Sequence, residues 1–388
     1  MLFPAWKAPA VNARSPRRTA VRRTAIAVTA AASAFSLAAC GVIDSGSDSS
    51  GSAEPKKGDD ITVGLLLPEK KTKRFEQFDY PLFKKQVATL TNGKGKVVYA
   101  NALGDKEKQN QQFDEMVAAK VDVVVVDSID AKTIAPSIER AKQANIPVIA
   151  YDRLAEGPID AYVSHDNELV GEVQGRSLVE ALGDKASTSK IVMINGSLTD
   201  PNSGRFKTGA MNELQGKVQI AASYDTKDWE PEIAKANMEA AIKSVGLSNI
   251  AAVYSANDGM ADAVIDALKE AGASKVPPVT GQDADLAAVQ RIVSGEQFMT
   301  VYKSFILEAN NAASIAVAKV QGRDIEFDAL TRDKVDSPTE KKIPAMLVPV
   351  VALTKENIDD TVIQDGVYTV QDICTPKLAA DCAEIGLK

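Results

Sequence analysis

Ile61-Thr62-Val63-Gly64-Leu65-Leu66-Leu67 (ITVGLLL) and Val121-Asp122-Val123-Val124-Val125-Val126 (VDVVVV) decide the fold class. Each is a short, apolar run, as expected of a strand buried on both faces of a parallel sheet. Working outward, further strands are predicted at Lys96–Tyr99 and Pro147–Tyr151, with helices over Phe75–Leu90, Lys106–Lys120 and Thr133–Ala144. In Lys106–Lys120, Phe113, Met116 and Val117 share one stripe. The order βαβαβαβ predicts a parallel sheet with right-handed crossovers. The rhythm then restarts. Strands are predicted at Ile191–Asn195, Gln219–Tyr224, Ile250–Ser255, Pro278–Gly281 and Met299–Tyr302. Helices are predicted over Ser203–Leu214, Glu230–Val245, Met260–Ala271, Leu286–Ser294 and Ile306–Val320. The expected fold is therefore α/β, with two doubly wound parallel-sheet lobes of similar size. Ligands of such sheets bind beyond the carboxyl ends of the strands, so two facing lobes would share one cleft.

The chain ahead of Ile61 has a different character. Residues 1–39 hold six basic residues (Lys7, Arg14, Arg17, Arg18, Arg22, Arg23) and no acidic ones. The whole chain has 45 Lys+Arg and 52 Asp+Glu, so without those six the balance is 39 − 52 = −13. An acidic body argues against nucleic acid or an anionic membrane as the main partner. Hydrophobic content of 45% excludes wholesale disorder. The basic stretch Arg14–Arg23, the small apolar run Thr24–Ala39 and the small residues before Cys40 describe an export signal. The apolar run falls short of the roughly 20 residues a bilayer span needs. Leu37-Ala38-Ala39-Cys40-Gly41 resembles the lipobox of bacterial lipoproteins. That resemblance makes Cys40 the lipid-modified first residue of the mature chain; an ordinary signal peptide with an incidental Cys is the alternative. Paired arginines leave Sec and twin-arginine export both open. Residues 40–60, rich in Ser, Gly and Asp, read as a flexible tether reaching roughly 25 Å. With Cys40 assigned, Cys374 and Cys382 remain as a pair, which outside the cytoplasm suggests a disulfide closing a short loop. No Cys or His spacing fits a structural metal site, and neither metal nor cofactor is expected.

Polar residues collect where the predicted strands end. VIAY (148–151) runs into Asp152-Arg153, VYS (253–255) into Ala256-Asn257-Asp258-Gly259, and PVT (278–280) into Gly281-Gln282-Asp283. Val301-Tyr302 ends in Lys303, and Ile194-Asn195-Gly196-Ser197 leads to Asp200-Pro201-Asn202. Planar donors and acceptors in this number suit a polyhydroxylated ligand. The alternative is that the Asp and Asn residues are helix N-caps. Trp229, in the polar loop Asp228-Trp229-Glu230-Pro231, is the one Trp beyond the export signal. It is either a core residue or a platform on which the C–H face of a sugar stacks. Phe75, beside Arg74, could supply the opposite face.

These segments carry a family resemblance. AYDRL (150–154), YVSHDNELVGEVQG (162–175), GSLTDPN (196–202), DWEP (228–231), YSANDG (254–259), GQDADLAAVQRI (281–292), TVYK (300–303) and VALTKENI (351–358) resemble the type I periplasmic sugar-binding proteins of ABC importers. Within that family the chain looks most like the xylose-binding and multiple-aldose receptors. The resemblance implies that Arg74, Asp152 and Arg153 contact the sugar from the N-terminal lobe. It implies that Asn202, Trp229, Asn257, Asp283 and Lys303 approach from the other lobe and the hinge, with Phe75 and Trp229 sandwiching the ring. It also implies three crossovers, near Ser164–Asp166, Tyr302–Lys303 and Ile343–Leu347, and closure about that hinge. The expected partition is residues 1–39 as signal peptide, 40–60 as tether, 61–164 plus 304–344 as the N-terminal lobe, and 165–303 plus 345–388 as the C-terminal lobe. Three departures stand out: Phe75 where close relatives often carry Trp, the basic stretch Pro68–Lys73 (PEKKTK), and His165 in place of a common Phe.

The expected function is capture of an aldose, foremost D-xylose, by a lipid-anchored, extracytoplasmic monomer that delivers it to an ABC permease. No P-loop occurs, so ATP hydrolysis would belong to a separate subunit. One alternative is another aldose (glucose, galactose or arabinose) with a chemosensory role. A remoter one is a glycosidase using Asp152 and Asp283. Against it, Arg153 should keep Asp152 ionised, and no Ser/His/Asp set surrounds His165, which reads as a packed residue. A sugar-responsive repressor would need a basic DNA-binding segment where the tether lies.

Overall fold

The computed structural model describes residues 57–387. The predicted signal peptide, Cys40 and most of the tether lie outside the described residues. The strands are β1 (Thr62–Leu67), β2 (Lys96–Asn101), β3 (Val123–Val126), β4 (Val148–Tyr151), β5 (Ala161–His165), β6 (Lys190–Asn195), β7 (Gln219–Asp225), β8 (Ile250–Ser255), β9 (Thr300–Lys303), β10 (Asp333–Val335), β11 (Ile343–Val348) and β12 (Val350–Leu353). One seven-stranded sheet has the order β10-β11-β5-β4-β3-β1-β2, parallel except for the antiparallel β10/β11 pair. A parallel sheet β7-β6-β8 and an antiparallel pair β12-β9 form the second lobe. All four residues of β3 are buried, because helices cover both faces of the sheet and leave no wet side.

The chain passes between the sheets three times. It leaves β5 at His165 for the helix Asn167–Leu182, leaves β9 at Lys303 for the helix Phe305–Val320, and leaves β11 at Val348 for β12. The third passage comes later than the expected Ile343–Leu347, since that segment is β11 itself, paired with β5 through Val348. Pro278–Gly281 is not a strand. It contributes only a single bridge, Val253 to Val279, and Gln282 bridges Val301, because the chain must turn out to present Asp283. The predicted helix Phe75–Leu90 is two pieces. A widened turn, Phe75–Asp79, has Tyr80 N–H donating to Phe75 O, and the α-helix proper runs Tyr80–Leu90. Pro81 explains the break: it has no N–H to donate, and its ring crowds the carbonyl of the preceding turn.

The helix Asn167–Leu182 was not predicted, and its two glycines explain both the miss and the fold. A Cβ on Gly171 would lie 1.9 Å from the Phe206 carbonyl oxygen and one on Gly175 2.9 Å from that of Ala210, while on the facing helix one on Gly209 would lie 1.9 Å from the carbonyl oxygen of Glu168. The helices Asn167–Leu182 and Pro201–Leu214 thus meet backbone to backbone, which fixes the helix carrying Asn202 directly behind the hinge. Cys374 and Cys382 form a disulfide in the C-terminal segment.

Candidate functional site

The structure brings all nine predicted ligand residues to the wall of one cavity of about 340 Å³ at the strand ends: Arg74, Phe75, Asp152, Arg153, Asn202, Trp229, Asn257, Asp283 and Lys303. Thr72, Asp200, Phe206 and Gln282 share that wall and were not predicted. Asp200 and Gln282 flank the predicted Asn202 and Asp283, so adjacency could have found them. Phe206 sits on the apolar stripe of a helix and reads as core. A wider chamber of about 700 Å³ adjoins the cavity and shares Arg153, Asp200, Trp229, Asn257 and Asp283. Lys71, from the basic PEKKTK stretch, lines that chamber and pairs with Glu230.

Asp152 illustrates how the backbone builds the site. It follows β4 in the left-handed region, at φ +56°. Its carbonyl accepts from Ser164 Oγ at 2.7 Å, Tyr162 Oη at 2.8 Å and Asn202 Nδ2 at 3.1 Å. Three donors over-determine a conformation that would otherwise relax. Its carboxylate accepts from Arg74 Nη1 at 3.2 Å and Asn202 Nδ2 at 3.1 Å, with Lys303 Nζ at 3.9 Å. Asp283 stands at φ +97° after the bridge at Gln282, and its Oδ1 pairs with Lys303 Nζ at 3.0 Å. Trp229 and the preceding Asp228 both have positive φ, +56° and +52°. For a bulky residue this is a strained conformation, of order 1–3 kcal/mol, and it swings the indole into the cleft. The indole Nε1 donates to Asp200 Oδ2 at 3.1 Å, and the ring meets Phe206 edge-on at 6.3 Å. Gly196 makes room for it: a Cβ there would fall 2.0 Å from the ring. Asp200 also forms an ion pair with the Arg153 guanidinium, its Oδ2 2.9 Å from Nε, so one carboxylate ties an N-lobe arginine to the C-lobe tryptophan.

The N-cap alternative proves compatible with the cleft reading. Asn257 caps the helix Asp258–Glu270 through Met260 N–H at 2.9 Å, and Asp200 caps Pro201–Leu214 through Asn202 N–H at 2.9 Å. A cap uses one oxygen lone pair, and the rest of each polar head still faces the cavity.

The electrostatics are balanced pair by pair. Burial alone would raise the pKa of Asp152, but Lys303, Arg74 and Arg153 outweigh it and hold the carboxyl at about 2. Asp152 is therefore ionised and cannot donate a proton. Burial raises Asp200 and raises Asp127 well above the carboxylate range, despite Arg153. Burial also pushes Glu308 up to about 8, but that side chain lies behind Arg74 rather than on the cavity wall. Asp152, His165 and Glu308 could bring three metal-ligand atoms within 4.8 Å of one another, but Arg74 and Lys303 already neutralise that corner.

A sequence model of the periplasmic binding protein domain matches residues 63–324. The chain belongs to the periplasmic binding protein family, as a type I sugar-binding member of the kind that serves ABC importers, and is a substrate-binding protein rather than an enzyme. Among its relatives, the D-xylose-binding periplasmic protein of Escherichia coli (strain K12) is 33% identical over 320 residues, spanning 81% of this chain and 93% of that protein. The multiple sugar-binding periplasmic receptor ChvE of Rhizobium radiobacter is 30% identical over 334 residues, spanning 80% and 92%. The solved structure of an ABC transporter solute binding protein from Clostridium phytofermentans, with β-D-glucose bound, superimposes with a TM-score of 0.74 at 27% identity, over 80% of this chain and 99% of that one.

Proposed function

We propose that this protein captures an aldose, foremost D-xylose, between its lobes and delivers it to an ABC permease whose ATPase is a separate subunit. The observation that carries this reading is the pairing inside the cavity. Arg74 is matched by Asp152 and Asp79, Arg153 by Asp200, and Lys303 by Asp283. Each of the three cations on that wall is matched by a carboxylate, so none is left to attract an anionic ligand, while the donors and acceptors that remain suit a neutral polyol packed against Trp229 and Phe75. The nine predicted residues are the proposed ligand contacts. Xylose is placed first because relatives in two organisms, at 33% and 34% identity, are D-xylose-binding proteins.

A thermal-shift screen of the purified protein against xylose, arabinose, ribose, glucose and galactose tests the reading, since a ligand stabilises by RT ln(1 + [L]/Kd). Xylose should give the largest rise in Tm; no rise with any sugar refutes the proposal. A second reading, a receptor for several aldoses that also reports to a sensor, is favoured by the likeness to multiple sugar-binding receptors and to a glucose-bound structure. Comparable shifts with xylose and glucose would decide for it. The protein is further proposed to act as a monomer, held outside the cytoplasm by lipid on Cys40. Cys40→Ser should move it from the membrane fraction to the soluble one; a variant that stays with the membrane sinks the anchor assignment.

A further inference from the structure

Behind Arg74 lies a buried cluster that the ligand contacts do not account for. Arg74 Nε and Nη2 donate to the two oxygens of Asp79 at 3.0 and 2.8 Å, and Nη2 also donates to Glu308 Oε2. Nη1 donates to Asp152, which leaves the guanidinium about one N–H for the cleft. Glu308 lies in the first turn of the helix Phe305–Val320, just past the second crossover. His165 ends β5 at the first crossover. The two residues are 234 and 91 positions from Arg74 in the chain (308 − 74 and 165 − 74), and both are fully buried at its back. Glu308 Oε1 and both imidazole nitrogens have no hydrogen-bond partner, and Oε1 lies 3.6 Å from His165 Nδ1.

We propose that Glu308 is a positioning residue for ligand capture: backed by His165, it orients the Arg74 guanidinium, and the two side chains hold an exchangeable proton that makes affinity depend on pH. This rests on reading the cleft as a sugar site. A neutral imidazole carries one N–H and one lone pair. At 3.6 Å from Nδ1, Oε1 of a protonated Glu308 needs to approach by only about half an ångström to donate to that lone pair, while Oε2 still accepts from Arg74. An ionised Glu308 would instead add a third carboxylate around one guanidinium, in a place no water reaches. The charged and titratable groups facing the pair are Arg74 and Asp79 from the turn after β1, Tyr151 and Asp152 from the end of β4, and Lys303 from β9. Burial, then Asp152 and Asp79 against Arg74 and Lys303, leaves Glu308 raised to about 8. Burial, Lys303 and Arg74 push His165 well below the ordinary imidazole value. At neutral pH the proton therefore sits on Glu308. Above pH 8 it is lost, and the new anion competes with Asp152 for Arg74 and draws the guanidinium back from the cleft.

His165 is the only histidine in the chain, so its imidazole ¹⁵N signals need no assignment. They should show a neutral ring through pH 6, with no titration near the ordinary value of about 6.5, and then a change of hydrogen bonding near pH 8 that Glu308→Gln abolishes. Calorimetric Kd for D-xylose and D-glucose should weaken up to roughly tenfold between pH 7 and pH 9 in the wild type. The profile should be flat in Glu308→Gln, which keeps an acceptor for Arg74 and an N–H for His165. Glu308→Leu, which keeps neither, should bind at least several-fold more weakly than Glu308→Gln at pH 7. An imidazole that titrates normally, or the same pH slope in Glu308→Gln, overturns the proposal. The wild-type spectrum judges the shared proton even if a variant fails to fold. If neither sugar binds the wild type, the sugar reading fails on its own, while the spectrum still judges the pair.

Discussion

Replacing Trp229 with Ala removes three things at once: the face presented to the cleft, the edge contact with Phe206, and the Nε1 bond to Asp200. An aromatic platform covering one face of a pyranose, with the area it removes from water, contributes about 1–3 kcal/mol. That corresponds to a roughly five- to 150-fold rise in Kd. The backbone strain does not relax in compensation, because Ala is no more at ease than Trp at φ +56°. The polar part can be separated. Trp229→Phe keeps a ring but loses the Nε1 donor, leaving Asp200 with Arg153 and the Asn202 N–H, so it should cost about 1 kcal/mol. Titration calorimetry with D-xylose and D-glucose measures both variants, and urea unfolding of the sugar-free proteins checks that the lobes remain folded. The indole is half-buried, so the stability change should be the smaller effect. A Kd for Trp229→Ala within twofold of the wild type, with the fold intact, would show that the indole does not touch the ligand.

Asp283→Ala should weaken sugar binding more than any change on the outer surface, by about 2–4 kcal/mol in calorimetry, because it strands Lys303 without its 3.0 Å partner in a buried wall. Gly209→Ala should destabilise the C-terminal lobe by more than about 3 kcal/mol in urea unfolding, since its methyl would lie 1.9 Å from the Glu168 carbonyl oxygen; near-wild-type stability would mean the two helices can part freely. Asp152 gives a pH prediction: burial opposes ionisation, but Lys303, Arg74 and Arg153 hold the folded pKa at about 2, below the ordinary 3.8. Its contribution, about 2 kcal/mol, is therefore present above pH 4 and lost as pH falls towards 2, so the stability gap between wild type and Asp152→Asn should shrink over that range.

Much of this molecule was legible before any coordinates. Strands buried on both faces declare themselves as unbroken apolar runs, and a βαβ rhythm allows few topologies. Because the carboxyl ends of such strands face a common edge, the polar residues that terminate β4, β8 and β9 had to gather near one another, and nine residues chosen on that ground and by family likeness line one cavity. What failed was read locally where the cause was not local. Two glycines that look like breakers in Asn167–Leu182 are contact points with another helix. Pro278–Gly281 looks like a strand but bends to deliver Asp283.

By itself, then, the sequence determined the class of fold and the edge at which the cavity opens, which follow from periodicity and from where a strand stops, and, together with the family likeness, most of the side chains that line it. The tertiary structure alone decided how those side chains are held. It brought Glu308 to Arg74 across 234 residues, set His165 behind the pair, and put Asp200 between an arginine of one lobe and the indole of the other. Partners so far apart along the chain leave no trace in local pattern. They meet only because three crossovers bring the ends of separate sheets to one place.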